Sequence, residues 1–396
     1  MNLTSELPFW FIRDGLIRSY PSLEGKTRCD ALVVGGGISG SLLAHELVRR
    51  GVDCVLIDRR DIGLGSTSAS TALLQYEIDT PLCELRERVG TESAERAYWL
   101  GIDAIHRLKQ RAGSECGFAL RPSMQLAARR SDVGPLTAEY RARRKVGLPV
   151  TWMDRDELRR DGIKAPGALY STIAAEVDPY RLTHRLLRLA RERGLRVFDR
   201  TTALRYRNSR GRITVDTDRH AQIVCRGVFF ATGYETQEVL QQKVVRLKST
   251  YAFVSEPLPD LSWWKDRAVI WGTGEPYLYM RTTDDRRVLV GGEDDFVLNP
   301  QRRDRQLISK TYQLIRRFRS IFPAIRLESA FSWAGVFGST KDGLAYIGCN
   351  PKFPGGYFAL GFGGNGITFS QIASGILADL FLGRRNLDER IFRFDR

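Results

Sequence analysis

The chain has 396 residues, 43% of them hydrophobic and 27% charged, with a formal net charge of +15. Such a length and composition predict a globular protein of about two or three structural units with an ample core. No apolar run reaches the ~18 residues a membrane-spanning helix needs. The apolar piece Pro8–Ile12 is followed at once by Arg13 and Asp14, unlike a secretory leader, so the expected location is cytoplasmic.

Residues 1–27 form an aromatic arm carrying Phe9, Trp10, Phe11 and Tyr20. Ala31–Val34 is continuously apolar and reads as a buried strand. Gly35, Gly37 and Gly40 follow as G-x-G-x-x-G and open a helix. The first glycine suits a tight turn, the second a close approach of pyrophosphate to the backbone, and the third the packing of helix on strand. Free N–H groups at that helix N-terminus favour a phosphate. Val52–Ile57 is the next strand, and Asp58 stands at its end, about 20 residues on, where an acid meets a ribose. Strand, glycine turn, helix, strand and acid together define a dinucleotide site far better than the glycines alone.

Residues 66–80 then form a loop, and 91–112 a helix with Ala94, Ala97, Tyr98, Ile102, Ile105 and Leu108 on one side. Gly147–Pro149 and Lys164–Gly167 read as loop punctuation. Arg181–Arg193 is an amphipathic helix ended by Gly194, its leucines inward and its arginines solvated. Leu195–Phe198 is a short strand, and Thr201–Arg207 with Arg212–Asp216 form a hairpin around Ser209, Arg210 and Gly211. Ile223–Thr232 is one strand ending at Gly233. Tyr251–Ser255, Ala268–Trp271, Tyr277–Thr282 and Val288–Gly291 alternate like antiparallel strands, and helices are expected around Gln306–Phe318 and Ile367–Phe381. The Trp263-Trp264 pair reads as packed core. None of the six cysteines pairs as C-x-x-C and there are only four histidines, which argues against a zinc site or disulfide framework. No nucleic-acid module accompanies the basic stretches, so no nucleic-acid partner is expected; an anionic membrane surface is the other partner the charge would suit.

Four further motifs join the first: Gly65-Ser66-Thr67-Ser68, Glu176-Val177-Asp178-Pro179, Ala231-Thr232-Gly233, and Gly355–Gly366 running into the last helix. In this order and spacing the chain resembles the FAD-dependent oxidoreductases of the D-amino-acid oxidase superfamily, with glycine, sarcosine and γ-glutamylputrescine oxidases among them. The resemblance implies an α/β fold, with a Rossmann-like FAD-binding domain interleaved with an antiparallel-sheet (α+β) substrate domain. The expected division is 1–27 as an arm, 28–82, 170–248 and 331–396 as the FAD-binding domain, and 83–169 with 249–330 as the substrate domain.

It also implies site residues. Gly35, Gly37, Ser39 and Gly40 would hold the pyrophosphate of FAD, and Asp58, with Arg59 beside it, the adenosine ribose. Ser66, Thr67, Ser68, Thr71, Ala72 and Leu73 would lie along the flavin, and Thr232 and Gly233 would touch the cofactor from the second element. Gly363, Gly364, Asn365, Gly366, Ile367 and Thr368 would sit at the pyrimidine edge, where helix N–H groups stabilise the charge of the reduced ring. The reaction implied is oxidation of a C–N bond of an amine or amino acid by hydride transfer to flavin N5, giving an imine that hydrolyses, with oxygen or another acceptor taking the electrons. No acid–base residue is obligatory in that scheme, and the cofactor carries the redox chemistry.

The chain departs from its relatives at three places. Phe337, in Trp333–Gly343, stands where amino-acid oxidases often carry an arginine for the substrate carboxylate, which shifts the expectation toward an amine, as in the γ-glutamylputrescine oxidase branch. Gly335 or Val336 replaces the cysteine that anchors FAD in sarcosine oxidases, so noncovalent FAD is implied. Leu289 falls at the oxygen-activating lysine in a loose match. Tyr251, Tyr279, Arg281, Gln75 and Phe337 are the substrate-binding candidates, with Tyr277 on the same strand and Glu77 as a partner for a cationic amine. Competing readings are a 2-hydroxy-acid or polyol dehydrogenase passing electrons to a quinone, a flavoprotein acting on tRNA, and an NAD-binding protein without flavin.

Overall fold

A computed structural model describes residues 4–5, 7–209 and 211–396. Arg210, at the expected hairpin turn, and residues 1–3 and 6 of the arm lie outside them.

The strand Ala31–Val34 is buried at every position and sits in the middle of a six-stranded sheet. Its parallel neighbours are Cys54–Ile57 on one side and Gly227–Phe230 on the other. Arg196–Phe198 extends the first side; Gly356–Leu360 and the antiparallel edge strand Tyr346–Cys349 extend the second. The chain therefore leaves the central strand to one side and returns on the other. A crevice opens at such a switch point, past the carboxyl ends of the strands. The helix Ile38–Arg49 and the helix Gly366–Phe381 pack together over this sheet, joined by Ser39 Oγ and Ser370 Oγ at 2.6 Å.

The single strand expected over Ile223–Thr232 is two strands in two sheets. Gln222–Cys225 belongs to a four-stranded sheet with Lys26–Arg28, Arg212–Thr217 and Ala203–Ser209. At Arg226 the chain steps across, and the N–H groups of Arg226 and Gly227 both donate to the Asp30 carbonyl, at 2.9 and 3.2 Å. Two consecutive donors on one acceptor break the ladder there, a local event that an unbroken apolar run does not signal.

A nine-stranded mixed sheet forms the rest of the frame. Its path runs Ser329–Ser339, Arg246–Ser255, Val288–Asp295, Leu278–Thr282, Val269–Gly272, Ala119–Leu126, Gly167–Glu176 and Leu73–Gln75, with Val150–Asp154 paired to Gly167–Glu176. The expected antiparallel run is there, but Val269–Gly272 also pairs in parallel with Ala119–Leu126. Gly167–Glu176, which begins inside an expected loop, is a ten-residue strand. Sheet membership also cuts across the expected division of the chain. Leu73–Gln75, 170–176 and Ser329–Ser339 lie in the large sheet. The helix Thr91–Arg111 turns Ala94, Ala97 and Ile105 into the same core as Val33 and Leu56.

The helix Pro300–Ile321 covers the large sheet with Leu314 and Phe318, and Trp264 is buried against Phe318 and Phe322. Among the described residues no helix is long and apolar enough to cross a membrane.

Candidate active site

A cavity of about 540 Å³ opens at the switch point and runs from Asp58 to the large sheet. That volume suits a small-molecule or cofactor site. At one end Gly35, Gly37, Ser39, Asp58, Arg59, Ser66 and Thr67 line it. Gly35 has φ +108°, a conformation that disfavours any side chain, and a Cβ there would overlap the Ala231 carbonyl. A Cβ on Gly37 would lie 2.8 Å from Thr67 Oγ1. Asp58 accepts the Gly36 N–H at 2.6 Å and the Arg60 N–H at 2.7 Å. Desolvation raises its pKa despite these bonds. Arg59 pairs with Glu235 across the opening.

The middle of the cavity is bounded by Ala69–Leu73 on one side and by Gly363, Gly364, Gly366 and Ile367 on the other, with Thr232, Gly233 and Gly335 alongside. The helix Gly366–Phe381 carries no side-chain cap at its start, which leaves N–H groups for an anionic ligand edge. Ala72 adopts a positive φ of 52°. The residues present fit a flavin dinucleotide. The Ser66 Oγ is buried without a hydrogen-bond partner in the wall beside Gly35 and Gly37, which is what a phosphate oxygen would satisfy. None of the six cysteines lines the cavity.

At the far end stand Gln75, Asp79, Lys248, Thr250, Glu275, Tyr277, Tyr279, Asp294 and Phe337. The Tyr279 ring lies over Gly291, its cross-strand partner, and its hydroxyl is 3.2 Å from Thr250 Oγ1. Asp79 accepts the Gly364 N–H at 2.8 Å; a Cβ on Gly364 would come within 2.8 Å of its other oxygen. Desolvation pushes the Asp79 carboxyl up, against that bond and the Lys248 charge. Asp294 is pushed up to about 6, by desolvation first and then by Glu275 and Asp79, with Thr250 and Lys248 opposing. Its Oδ1 is buried and unpartnered. Three carboxylates and one ammonium thus converge beside two tyrosines, a locally acidic end in a chain of net charge +15.

Several expected residues stand elsewhere. Tyr251 is fully buried behind the sheet, its hydroxyl donating to Asp295 at 3.1 Å and lying 3.2 Å from the Gln306 carboxamide. Alternate residues of a strand face opposite ways, so its neighbour Thr250 and Lys248 meet the cavity instead. Arg281 is also buried: it donates to the carbonyls of Thr71 at 2.7 Å and Val177 at 2.9 Å, and pairs with Glu176 at 3.6 Å. Glu77 lies in the core 3.8 Å from Arg143, out of reach of a substrate.

Ser68 turns to the Gly65 carbonyl, Asn365 spans to the carbonyls of Gln75 and Glu77, and Thr368 bonds the Gln75 carbonyl. Gly40 packs against the Gly35 carbonyl rather than lining the cavity. Leu289 is core, beside Phe9, Trp10 and Trp333. Asp79, Lys248, Thr250, Glu275 and Asp294 escaped notice in the sequence. The only usable signal was that Lys248 stands just before the strand already singled out for Tyr251.

A family model for FAD dependent oxidoreductases matches residues 30–380. The glycine oxidase of Geobacillus kaustophilus is 24% identical over 369 residues, covering 89% of this chain and 93% of the relative. The γ-glutamylputrescine oxidoreductase of Escherichia coli is 21% identical over 392 residues, covering 92% and 86%. Among solved structures, the L-amino acid deaminase of Proteus vulgaris superposes with a TM-score of 0.76 at 16% identity, over 96% of this chain and all of that one. The Geobacillus glycine oxidase structure gives 0.75 at 21% identity, over 91% and 96%. These structures share the fold.

Proposed function

The chain belongs to the family of FAD dependent oxidoreductases, and on that premise we propose that it oxidises the C–N bond of a cationic amine, with amino acids as the weaker class. The chemistry that FAD would supply when bound is acceptance of a hydride from the carbon beside a nitrogen that has released its proton to solvent, leaving an iminium ion that water hydrolyses. Gly35, Gly37, Ser39 and Ser66 would hold its pyrophosphate at the start of the helix Ile38–Arg49, and Asp58 with Arg59 its ribose end. Thr71–Leu73 and Gly363–Ile367 would bracket the ring, the latter donating N–H groups to its anionic edge. With no cysteine in the wall, the cofactor is held noncovalently.

The substrate reading is carried by the acidic far end. Asp294, Asp79 and Glu275 favour a cation there, and Tyr277, Tyr279 and Phe337 supply apolar walls. Phe337 offers no bidentate partner for a carboxylate where an arginine would. Lys248 pairs across the strand with Phe337, and we assign it the cationic role toward an electron acceptor such as oxygen. All six cysteines are free, which suits a cytoplasmic enzyme. The test is an anaerobic titration of the flavin spectrum with amines, amino acids and hydroxy acids, followed by re-aeration. Bleaching by cationic amines with rapid reoxidation is expected. Bleaching by hydroxy acids alone, with reoxidation only by a quinone, would overturn the substrate class and the acceptor together.

A further inference from the structure

Three consecutive backbone carbonyls beside the cavity are each held from behind by a buried side chain. Trp333 Nε1 donates to the Ala69 carbonyl at 2.9 Å, Trp10 Nε1 to Ser70 at 2.7 Å, and Arg281 Nε to Thr71 at 2.7 Å. All three side chains are at most 2% exposed. Two come from the large sheet. Trp10 comes from the N-terminal arm, on the short helix Phe9–Asp14. That arm is itself fastened to the edge strand: Ser5 N–H donates to the Ala334 carbonyl at 3.0 Å, and Ala334 N–H to Ser5 Oγ at 2.7 Å. Arg13 and Arg281 both lie over the Trp10 ring, at 4.8 and 5.1 Å, so the indole has little freedom.

A trans peptide is planar, and its C=O and N–H point opposite ways. Fixing a carbonyl therefore aims the next residue's N–H. The Ala69 clamp aims the Ser70 N–H, which closes a turn onto the Thr67 carbonyl at 3.2 Å. The Thr71 clamp aims the Ala72 N–H, which meets Ser70 Oγ at 3.1 Å. The middle clamp aims the Thr71 N–H away from Trp10, toward the cavity that Ser70 and Thr71 line. We propose that Trp10 is a positioning residue: by holding the Ser70 carbonyl, the arm directs the Thr71 N–H at the isoalloxazine and so tunes flavin affinity and reduction potential. This rests on the ring lying between Thr71–Leu73 and Gly363–Ile367. A donor held toward the ring stabilises negative charge as it develops, without reorganisation.

The test is Trp10→Phe in the holoenzyme, which keeps an aromatic side chain, though a smaller one, and removes the donor. FAD should bind about five- to tenfold more weakly, and the two-electron potential should fall by up to ~30 mV, the equivalent of a tenfold change in equilibrium constant. Trp333→Phe removes a clamp whose peptide faces the turn; it should lower Tm and leave the potential unchanged. Thr71→Pro deletes the N–H itself, and Ser70, at ψ 137°, already has the conformation that a following proline requires. Thr71→Ala retains the N–H. A potential that falls in Trp10→Phe and Thr71→Pro, and holds in Trp333→Phe and Thr71→Ala, supports the proposal. A shift in Thr71→Pro without one in Trp10→Phe, or equal shifts in both tryptophan variants, overturns the role of Trp10. No change in spectrum or potential in either Thr71 variant overturns instead the placement of the ring. Should Trp10→Phe fail to fold, Ser5→Ala, which loosens the arm but leaves the indole, must shift the potential in the same direction; an unchanged potential there refutes the proposal.

Discussion

At the nucleotide end of the cavity most of the wall comes from one stretch of chain, 31–67, whose two strands pair directly through Val34 and Ile57. At the acidic end it comes from Gln75, Asp79, Lys248, Glu275, Asp294 and Phe337, on separate strands and loops of a nine-stranded sheet. The first end is a local motif whose geometry is nearly complete within one βαβ unit. The second is a meeting of side chains from distant segments, and its charge is a property of the meeting. A substitution at the first end should therefore act on folding and cofactor together, whereas one at the second should act on substrate with little effect on the fold.

The sharpest way to break that contrast is Gly40→Ala. A Cβ there would overlap the Gly35 carbonyl, which belongs to backbone and cannot swing aside. We expect destabilisation of about 3 kcal/mol or more and a protein purified without its yellow colour, read by thermal melts and absorbance. Asp294→Asn probes the other end. KM for cationic amines should rise about 10- to 100-fold with the fold intact. Because the carboxyl is raised to about 6, wild-type KM should also climb as pH falls below 6, and the asparagine variant should lose that limb. Removing a carboxylate disfavoured by burial should stabilise the protein at pH 8, by at most about 3 kcal/mol; a lower Tm in that variant would show the charge to be structurally paired.

Phe337→Arg should shift preference toward α-amino acids, raising their kcat/KM about tenfold while weakening amines, as a charge-assisted pair of about 1.5–3 kcal/mol would allow. Steady-state kinetics on a matched amine and amino acid decides it.

The smallest effect is away from both ends. Burial lowers His45 and His184 to about 4, while the unfolded chain protonates near 6.5. The unfolded state thus binds more protons between those values. The stability these residues confer is complete above pH 6.5 and falls as pH drops, by about 2 kcal/mol each at pH 5. Denaturant melts of wild type and His184→Asn at pH 7 and pH 5 would show the difference shrink in the variant.

Much of the frame was legible in the chain. Ala31–Val34, the three glycines and Asp58 announced the strand–turn–helix–strand unit because each step depends on neighbours within a few residues. Phe337 was also readable, as a departure at a known place in a motif. The faces of the large sheet were not. Choosing Tyr251 over Thr250 is an error of one residue, yet it exchanges cavity for core, because the side-chain period of a strand is two and the sheet alone decides which face meets the site. Arg281 shares a face with Tyr279, but three carbonyls in its path, at Thr71, Val177 and Thr282, capture its guanidinium before the cavity.

The sequence by itself determined the strand–turn–helix–strand unit at one end of the cavity, since strand, turn and helix there answer to local sterics and backbone hydrogen bonding. Only the tertiary structure decided that Asp79, Glu275 and Asp294 share one space, and that an indole from residue 10 holds the backbone at residue 70. Electrostatics and hydrogen bonds act through distance in space, and separation along the chain carries no record of it.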